Sequence, residues 1–341
     1  MRTIIGEISP GRYRTIVGVA LVALAVIVLT GAAVRLTEAG LGCENWPACT
    51  DERFVPEFEL HPWIEFGNRL ISGLVAASVA AVALAAYRRR PRRNDLIPWA
   101  WGLVAGVAAQ IVLGGVTVRL DLHPAIVGLH FLLSMVLLWN AMVLWVLAGT
   151  DPPLEEAEPA PVSLASRLGP FRVPGSAIAN GRLLVALASA ALFAGTLVTG
   201  TGPNSGDSRA ERLGFDLVAI TRVHSIVVWC FVAVLVVLAV RLRPSSETAG
   251  TGPAFSTARM LLGVSVLQGG IGYWQFAAGV PPELVALHIL GAILVWCLTV
   301  LLYLRLRRRQ PTDFGTDRDQ HDKHGPERDV NTDPMFDKLV T

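Results

Sequence analysis

The stretch AIVGLHFLLSMVLLWNAMVLWVLA, residues 125–148, decides how the rest of the chain is read. It runs 24 residues without an Asp, Glu, Lys or Arg. About 20 mostly apolar residues in a helix cross the hydrocarbon core of a bilayer, so this segment is long enough to span one. Seven more such runs occupy residues 13–34, 65–87, 96–118, 180–200, 217–240, 257–276 and 284–304. Irregular backbone cannot satisfy its polar groups in lipid, so the runs are read as helices rather than strands. The first is longer than a signal-peptide core, and Arg35 follows it with no small-residue cleavage site.

The composition agrees. Of 341 residues, 52% are hydrophobic and only 16% charged, against about 25% charged in soluble domains. A disordered chain, a collagen and a nucleic-acid-binding domain are excluded, so the expected surroundings are a lipid bilayer and not a nucleic acid. Length alone would suggest about two globular domains. The apolar runs replace that with an all-α polytopic membrane protein of eight transmembrane helices. Four cysteines are too few for a disulfide scaffold.

Arginines set the orientation. Eighteen flank the ends of the spans on one side, including Arg2, Arg12, Arg14, the run Arg88 to Arg93, Arg167, Arg172, Arg182, Arg241, Arg243, Arg259 and Arg305 to Arg309. Seven lie on the other side: Arg35, Arg53, Arg69, Arg119, Arg209, Arg212 and Arg222. The positive-inside rule then expects both termini in the cytoplasm of a multi-pass plasma-membrane protein. The chain divides into a four-helix half at 13–148, a Pro/Glu/Ala-rich cytoplasmic linker at 149–179, a second half at 180–305 and a polar tail at 306–341, read as disordered. His321 and His324 in that tail are expected to be solvated bystanders.

The halves repeat. Gln110 to His130 spans 20 residues, as does Gln268 to His288, and Gly114 corresponds to Gly272. Thr30-Gly31 at the end of the first span rhymes with Gly195-Thr196 at the end of the fifth. An even number of spans per half makes the repeats parallel, and the expected fold is two pseudo-symmetric four-helix bundles.

Ionisable residues inside spans are functional candidates by default. His130, His224 and His288 each sit near the start of an even-numbered span, at similar depth in the outer half of the bilayer. His224 and His288 on two helices of one apolar bundle suit axial ligation of a heme iron. The bland alternative is a hydrogen bond across helices. Zinc is disfavoured because no third ligand joins them. Cys230 and Cys297 are read as inert packing residues. In the first half, the position matching His224 is Asn68, 62 residues before His130. An amide is no strong iron ligand, so this site is expected to carry one protein ligand and an open or weakly held position. Glu65 lies on the same helix face as Asn68, three residues earlier. It suits proton transfer at the edge of such a pocket, although a Glu at a helix N-terminus is also stabilised by the macrodipole. The outer loop Gly42-Cys43-Glu-Asn-Trp46-Pro47-Ala-Cys49 faces the oxidising side, where a local disulfide fits. It is read either as a staple for a lid or as a redox-active pair.

The Gly40-Leu41-Gly42-Cys43…Trp46-Pro47…Cys49 loop, Glu65-Phe-Gly-Asn-Arg69, Gly128-Leu129-His130-Phe131-Leu132-Leu133-Ser134, Arg222-Val-His224 and Ala286-Leu287-His288 together resemble bacterial heme A synthase. The resemblance runs from the first span to the eighth. It implies a heme-dependent oxidoreductase in which the C8 methyl of heme O, the farnesylated substrate, is hydroxylated to a gem-diol that loses water. The product is the formyl group of heme A, made for terminal oxidases, with water as the oxygen source. It implies heme b as cofactor between His224 and His288, heme O on His130, Glu65 as the catalytic carboxylate and a Cys43–Cys49 disulfide. Asn68 stands where many members have a histidine. Arg35, Arg69, Arg119 and Arg222 near the outer boundary are candidates for heme propionates, against simple snorkelling to the interface. Implied partners are a heme O synthase (a farnesyltransferase), the terminal-oxidase assembly machinery and an electron acceptor, with a homo-oligomer possible. The rivals are a diheme membrane cytochrome b acting only in electron transfer, which needs no Glu65, and a transporter of parallel repeats.

Overall fold

A computed structural model describes residues 6–43, 45–150, 175–204, 206–207, 210–243 and 252–307. Eight long helices account for most of them: α1 (Pro10–Leu36), α2 (Leu60–Arg88), α3 (Ile97–Arg119), α4 (Pro124–Ala148), α5 (Gly175–Thr201), α6 (Leu217–Arg241), α7 (Gly252–Ala277) and α8 (Pro282–Leu306). A single 3-10 turn, Asn94–Leu96, precedes α3. The helix starts are written in the sequence. Pro10, Pro124 and Pro282 occupy first-turn positions where no amide donor is lost. Ser9 and Asp216 cap α1 and α6 by accepting from Arg12 N and Ala219 N.

Seven of the eight helices are long and apolar enough to cross a membrane. The chain is a multi-pass membrane protein. Helix α7 falls short although it was expected as a span. Its length suffices, but Gln268, Gln275, Ser265 and five glycines dilute its hydropathy. Two boundaries also move. Helix α2 begins at Leu60, so Glu65 lies in its second turn and not at its N-terminus. Helix α5 begins at Gly175, inside the stretch read as linker. Residues 151–174 of that linker, the tail from 308 onward with His321 and His324, and Arg2, Arg167, Arg172, Arg209, Arg308 and Arg309 lie outside the described residues.

Helices α1 to α4 pack as a ring in which each touches the next and α1 touches α4, and α5 to α8 form a matching ring. The rings meet through α4 with α8, α4 with α5 and α1 with α8. Helix α4 is the most enclosed of the spans. At this seam Trp296 Nε1 donates to the Met135 carbonyl at 2.8 Å. Trp139 packs on Trp296 and on Tyr303, each with ring centroids 5.9 Å apart. Elsewhere Val19, Leu74, Val112, Ile226 and Val266 point outward, as lipid-facing residues do. At the end opposite the histidines, Ile8 exchanges backbone hydrogen bonds with Arg88 and Arg90. The N-terminal segment is thus pinned to the α2–α3 connection.

Candidate functional site

The three membrane histidines lie at one end of the rings, each six or seven residues into its helix. Their rings are half-buried. Each is seated on a glycine of the preceding helix. A Cβ added at Gly114 of α3 would lie 3.6 Å from His130 Cε1, one at Gly195 of α5 would lie 3.4 Å from His224 Cε1, and one at Gly272 of α7 would lie 2.9 Å from His288 Cε1. Only a glycine lets the two backbones approach so closely at the tightest of these seats. The fourth seat is α1 against α2, where a Cβ at Gly31 would lie 3.9 Å from Asn68 Nδ2.

Hydrogen bonds fix the ring-bearing helices. Gln110 Nε2 donates to the His130 carbonyl (3.0 Å) and to Ser134 Oγ (2.7 Å). Gln268 Nε2 donates to the His288 carbonyl (2.7 Å). The equal 20-residue spacing seen in the sequence is therefore a repeated clamp between neighbouring helices.

In the second half the His224 and His288 rings lie with centroids 6.4 Å apart and planes inclined by 67°. His224 Nδ1 lies 3.0 Å from the Ala191 carbonyl; a neutral ring donating there leaves Nε2 as a free donor atom for a metal. His130 Nδ1 is buried without a hydrogen-bond partner, unusual for a group of this kind. A metal–imidazole bond is about 2 Å, so two rings on opposite sides of one iron hold their centroids roughly 6 Å apart. The observed spacing and the apolar walls around it fit a bis-imidazole heme. Among the described residues no group of three or more His, Cys, Asp and Glu could hold a metal ion.

In the first half the loop between α1 and α2 folds back onto α2. Cys43 and Cys49 form a disulfide with Cα atoms 4.4 Å apart. The Cys43 amide donates to Glu65 Oε2 at 2.8 Å. Arg69, one turn further along α2, pairs with Glu65 Oε1. Its other terminal nitrogen donates to the carbonyls of Asn45 (2.8 Å) and Ala48 (3.1 Å) within the disulfide loop. Glu65 is 5% exposed, so carboxylate, guanidinium and loop form one buried knot. Trp46 packs against α3: a Cβ at Gly115 would lie 2.9 Å from its Cδ2. The loop also reaches the second half, where Gly40 N donates to the Gly206 carbonyl at 3.0 Å. The knot was not read from the sequence. The i, i+4 spacing of Glu65 and Arg69 is the signal that could have found the ion pair; the Cys43 contact has no such signal.

The four candidate arginines part company. Arg69 is engaged by Glu65 and the loop. Arg35, at the end of α1, packs beside Gly206 of the second half. Arg119 and Arg222 are exposed, at the end of α3 and near the start of α6. Cys297 is a half-buried free thiol, whereas Cys230, expected as a packed residue, is exposed on the outward face of α6.

The family described as COX15-CtaA, cytochrome oxidase assembly protein, matches residues 14–258, which take in α1 to α6 and end within α7. The chain is 32% identical over 137 residues to the heme A synthase of Geobacillus kaustophilus, covering 39% of this chain and 42% of that one. It is 30% identical over 149 residues to that of Halalkalibacterium halodurans, covering 43% and 48%. These two matches span less than half the length of either relative. The heme A synthase of Caulobacter vibrioides is 25% identical over 329 residues, covering 83% of this chain and 92% of its own. His288 on α8 lies beyond the residues that the family match covers, yet its seat and its glutamine clamp copy those of His130. The chain belongs to the COX15-CtaA family of cytochrome oxidase assembly proteins.

Proposed function

We propose that this protein is a heme A synthase that oxidises the C8 methyl of heme O to a formyl group. The observation that carries this reading is the buried Glu65 knot, one helical turn before the Asn68 seat in the half that has a single membrane histidine. An electron-transfer cytochrome has no use for a buried carboxylate there. The similarity to curated heme A synthases supports the same reaction.

In this reading the methyl group and one water become a formyl group, four protons and four electrons. Heme O, the substrate, binds in the first half with His130 as its axial ligand. His224 and His288 would hold heme b, which when bound would supply a one-electron carrier. Glu65 receives protons from the attacking water and from the oxidised carbon. In the resting site one of its oxygens accepts from the Cys43 amide and the other pairs with Arg69. Arg69 and the Cys43 amide fix the carboxylate, so little reorganisation is needed when the proton moves. The disulfide loop and Trp46, packed against α2 and α3, would cover a heme O bound there and limit water access. Arg35, Arg119 and Arg222 are the candidates for the propionates, since Arg69 is already committed.

The protein would sit in the bacterial plasma membrane with both termini cytoplasmic. A farnesyltransferase that makes heme O would supply its substrate, oxidase assembly would consume its product, and an external acceptor would take the electrons. The test is co-expression of the full chain with a heme O synthase and chromatography of the extracted hemes. Heme A, or hydroxylated heme O, is the expected product. Bound heme without either product would leave the electron-transfer cytochrome as the reading.

A further inference from the structure

Three of the four glycine seats hold a histidine, and one holds Asn68. The four seats are built alike. Each lies between an odd helix and the even helix after it, at the same end of the rings. In the α5–α6 seat, His224 Nδ1 is bonded to the carbonyl of Ala191, four residues before Gly195. In the α1–α2 seat the corresponding carbonyl is that of Ile27, four residues before Gly31. There it is approached by the Thr30 hydroxyl at 3.3 Å, which also contacts Asn68 Oδ1 at 2.8 Å. Thr30 is peculiar to this seat. The residues just before Gly114, Gly195 and Gly272 are Leu113, Ala194 and Ile271, all apolar. The amide and its hydroxyl partner therefore replace, as a unit, one imidazole and its backbone contact.

We propose that this unit leaves the first-half heme with one protein ligand, His130, and a sixth coordination position open to a small exogenous ligand, water in the resting protein. The Thr30 hydroxyl donates to Asn68 Oδ1, which aims the amide NH2 away from Thr30. That NH2 is then the donor for an oxygen ligand at the open position. The second half, with two imidazoles, has no such vacancy. The proposal rests on the reading that His130 holds heme in the first half, and it adds which of the two hemes exchanges ligands.

The experiment is carbon monoxide and cyanide titration of the full-length protein purified from cells that make heme O, with heme content measured. In the wild type the heme lost on His130→Ala should bind carbon monoxide when reduced and cyanide when oxidised. The heme lost on His224→Ala should bind neither. Asn68→His, alone and with Thr30→Ala to free the Ile27 carbonyl, should lower carbon monoxide affinity at least tenfold and add a second low-spin bis-imidazole signal to the electron paramagnetic resonance spectrum. Asn68→Ala should keep the vacancy but speed cyanide release several-fold. A wild-type first-half heme that is already low-spin and refuses carbon monoxide overturns the proposal, as does unchanged binding in both Asn68→His proteins. If the His130-dependent heme is present but no heme A forms, the enzymatic reading fails while these titrations still decide the vacancy. If no heme depends on His130, both fail.

Discussion

Glu65 is held by Arg69 on one oxygen and by the Cys43 amide on the other, and those contacts make it separable by mutation. Glu65→Gln keeps an amide oxygen for the Cys43 N–H and removes the basic lone pairs. The folded protein, its disulfide and its heme b should persist while heme A formation falls by about 10²- to 10⁴-fold, the range for loss of a general acid–base; extracted hemes give the readout. Arg69→Gln acts differently. It leaves a buried carboxylate with a single donor, and such half-pairs cost about 3 kcal/mol or more. Side-chain exposures of 16% for Arg69 and 7% for Glu65 keep solvent from offsetting that loss. Thermal unfolding in detergent should shift down, and the disulfide, no longer held through the Asn45 and Ala48 carbonyls, should be reduced faster by thiols. An Arg69→Gln protein as stable and as slowly reduced as the wild type would show that the knot does not hold the loop. At the other site, His224→Ala should abolish heme b binding, read from the reduced visible spectrum; a full heme b complement would refute that ligand.

At the scale of the helices, the glycine seats rank themselves. A methyl added at Gly272 would meet His288 at 2.9 Å, at Gly195 it would meet His224 at 3.4 Å, and at Gly114 it would meet His130 at 3.6 Å. Gly272→Ala must displace the ring or separate α7 from α8, whereas Gly114→Ala meets an ordinary van der Waals contact. Heme b retention should therefore fall most in Gly272→Ala and less in Gly195→Ala, and heme O retention should barely change in Gly114→Ala. Equal losses across the three would show that seat tightness does not set ligand position. The eight helices were legible because each is an apolar run closed by charge, proline or glycine. The histidine depth was legible too, because it is a count along one helix. The seats were not, because a glycine in a span looks the same whether it faces lipid, as at Gly263, or an imidazole, as at Gly272; only the register between two helices distinguishes them. Helix α7 shows the converse limit. Gly272 and Gln268, which seat and clamp α8, are among the residues that lower the hydropathy of α7.

At the scale of the whole molecule, the proposed orientation depends on arginines that do two jobs. Eighteen near the span ends favour one side against seven on the other, and each basic residue beside an anionic leaflet is worth about 1 kcal/mol. Not all of them reach lipid, however. Arg93 is 6% exposed. It pairs with Asp95 at 2.7 Å and donates to the Thr150 carbonyl, tying the α2–α3 connection to the end of α4. Arg89 is 1% exposed and donates to the Pro91 carbonyl. Arg90 and Arg92 in the same connection are exposed. Charge should therefore be separable from structure within one loop. Arg90→Gln with Arg92→Gln should leave thermal stability within about 0.5 kcal/mol, as surface substitutions do, while Arg93→Gln should lower it by about 3 kcal/mol by breaking the buried pair with Asp95 and the tie to the Thr150 carbonyl. The orientation itself is read with fusions. Alkaline phosphatase placed after Leu120, between α3 and α4, should be active, and the same enzyme after Thr150 should be inactive. A fluorescent protein at the C-terminus should fold and emit. An active phosphatase after Thr150 would invert the molecule, put the Cys43–Cys49 loop in the reducing cytoplasm, and leave the disulfide that braces Glu65 without the oxidising side it needs.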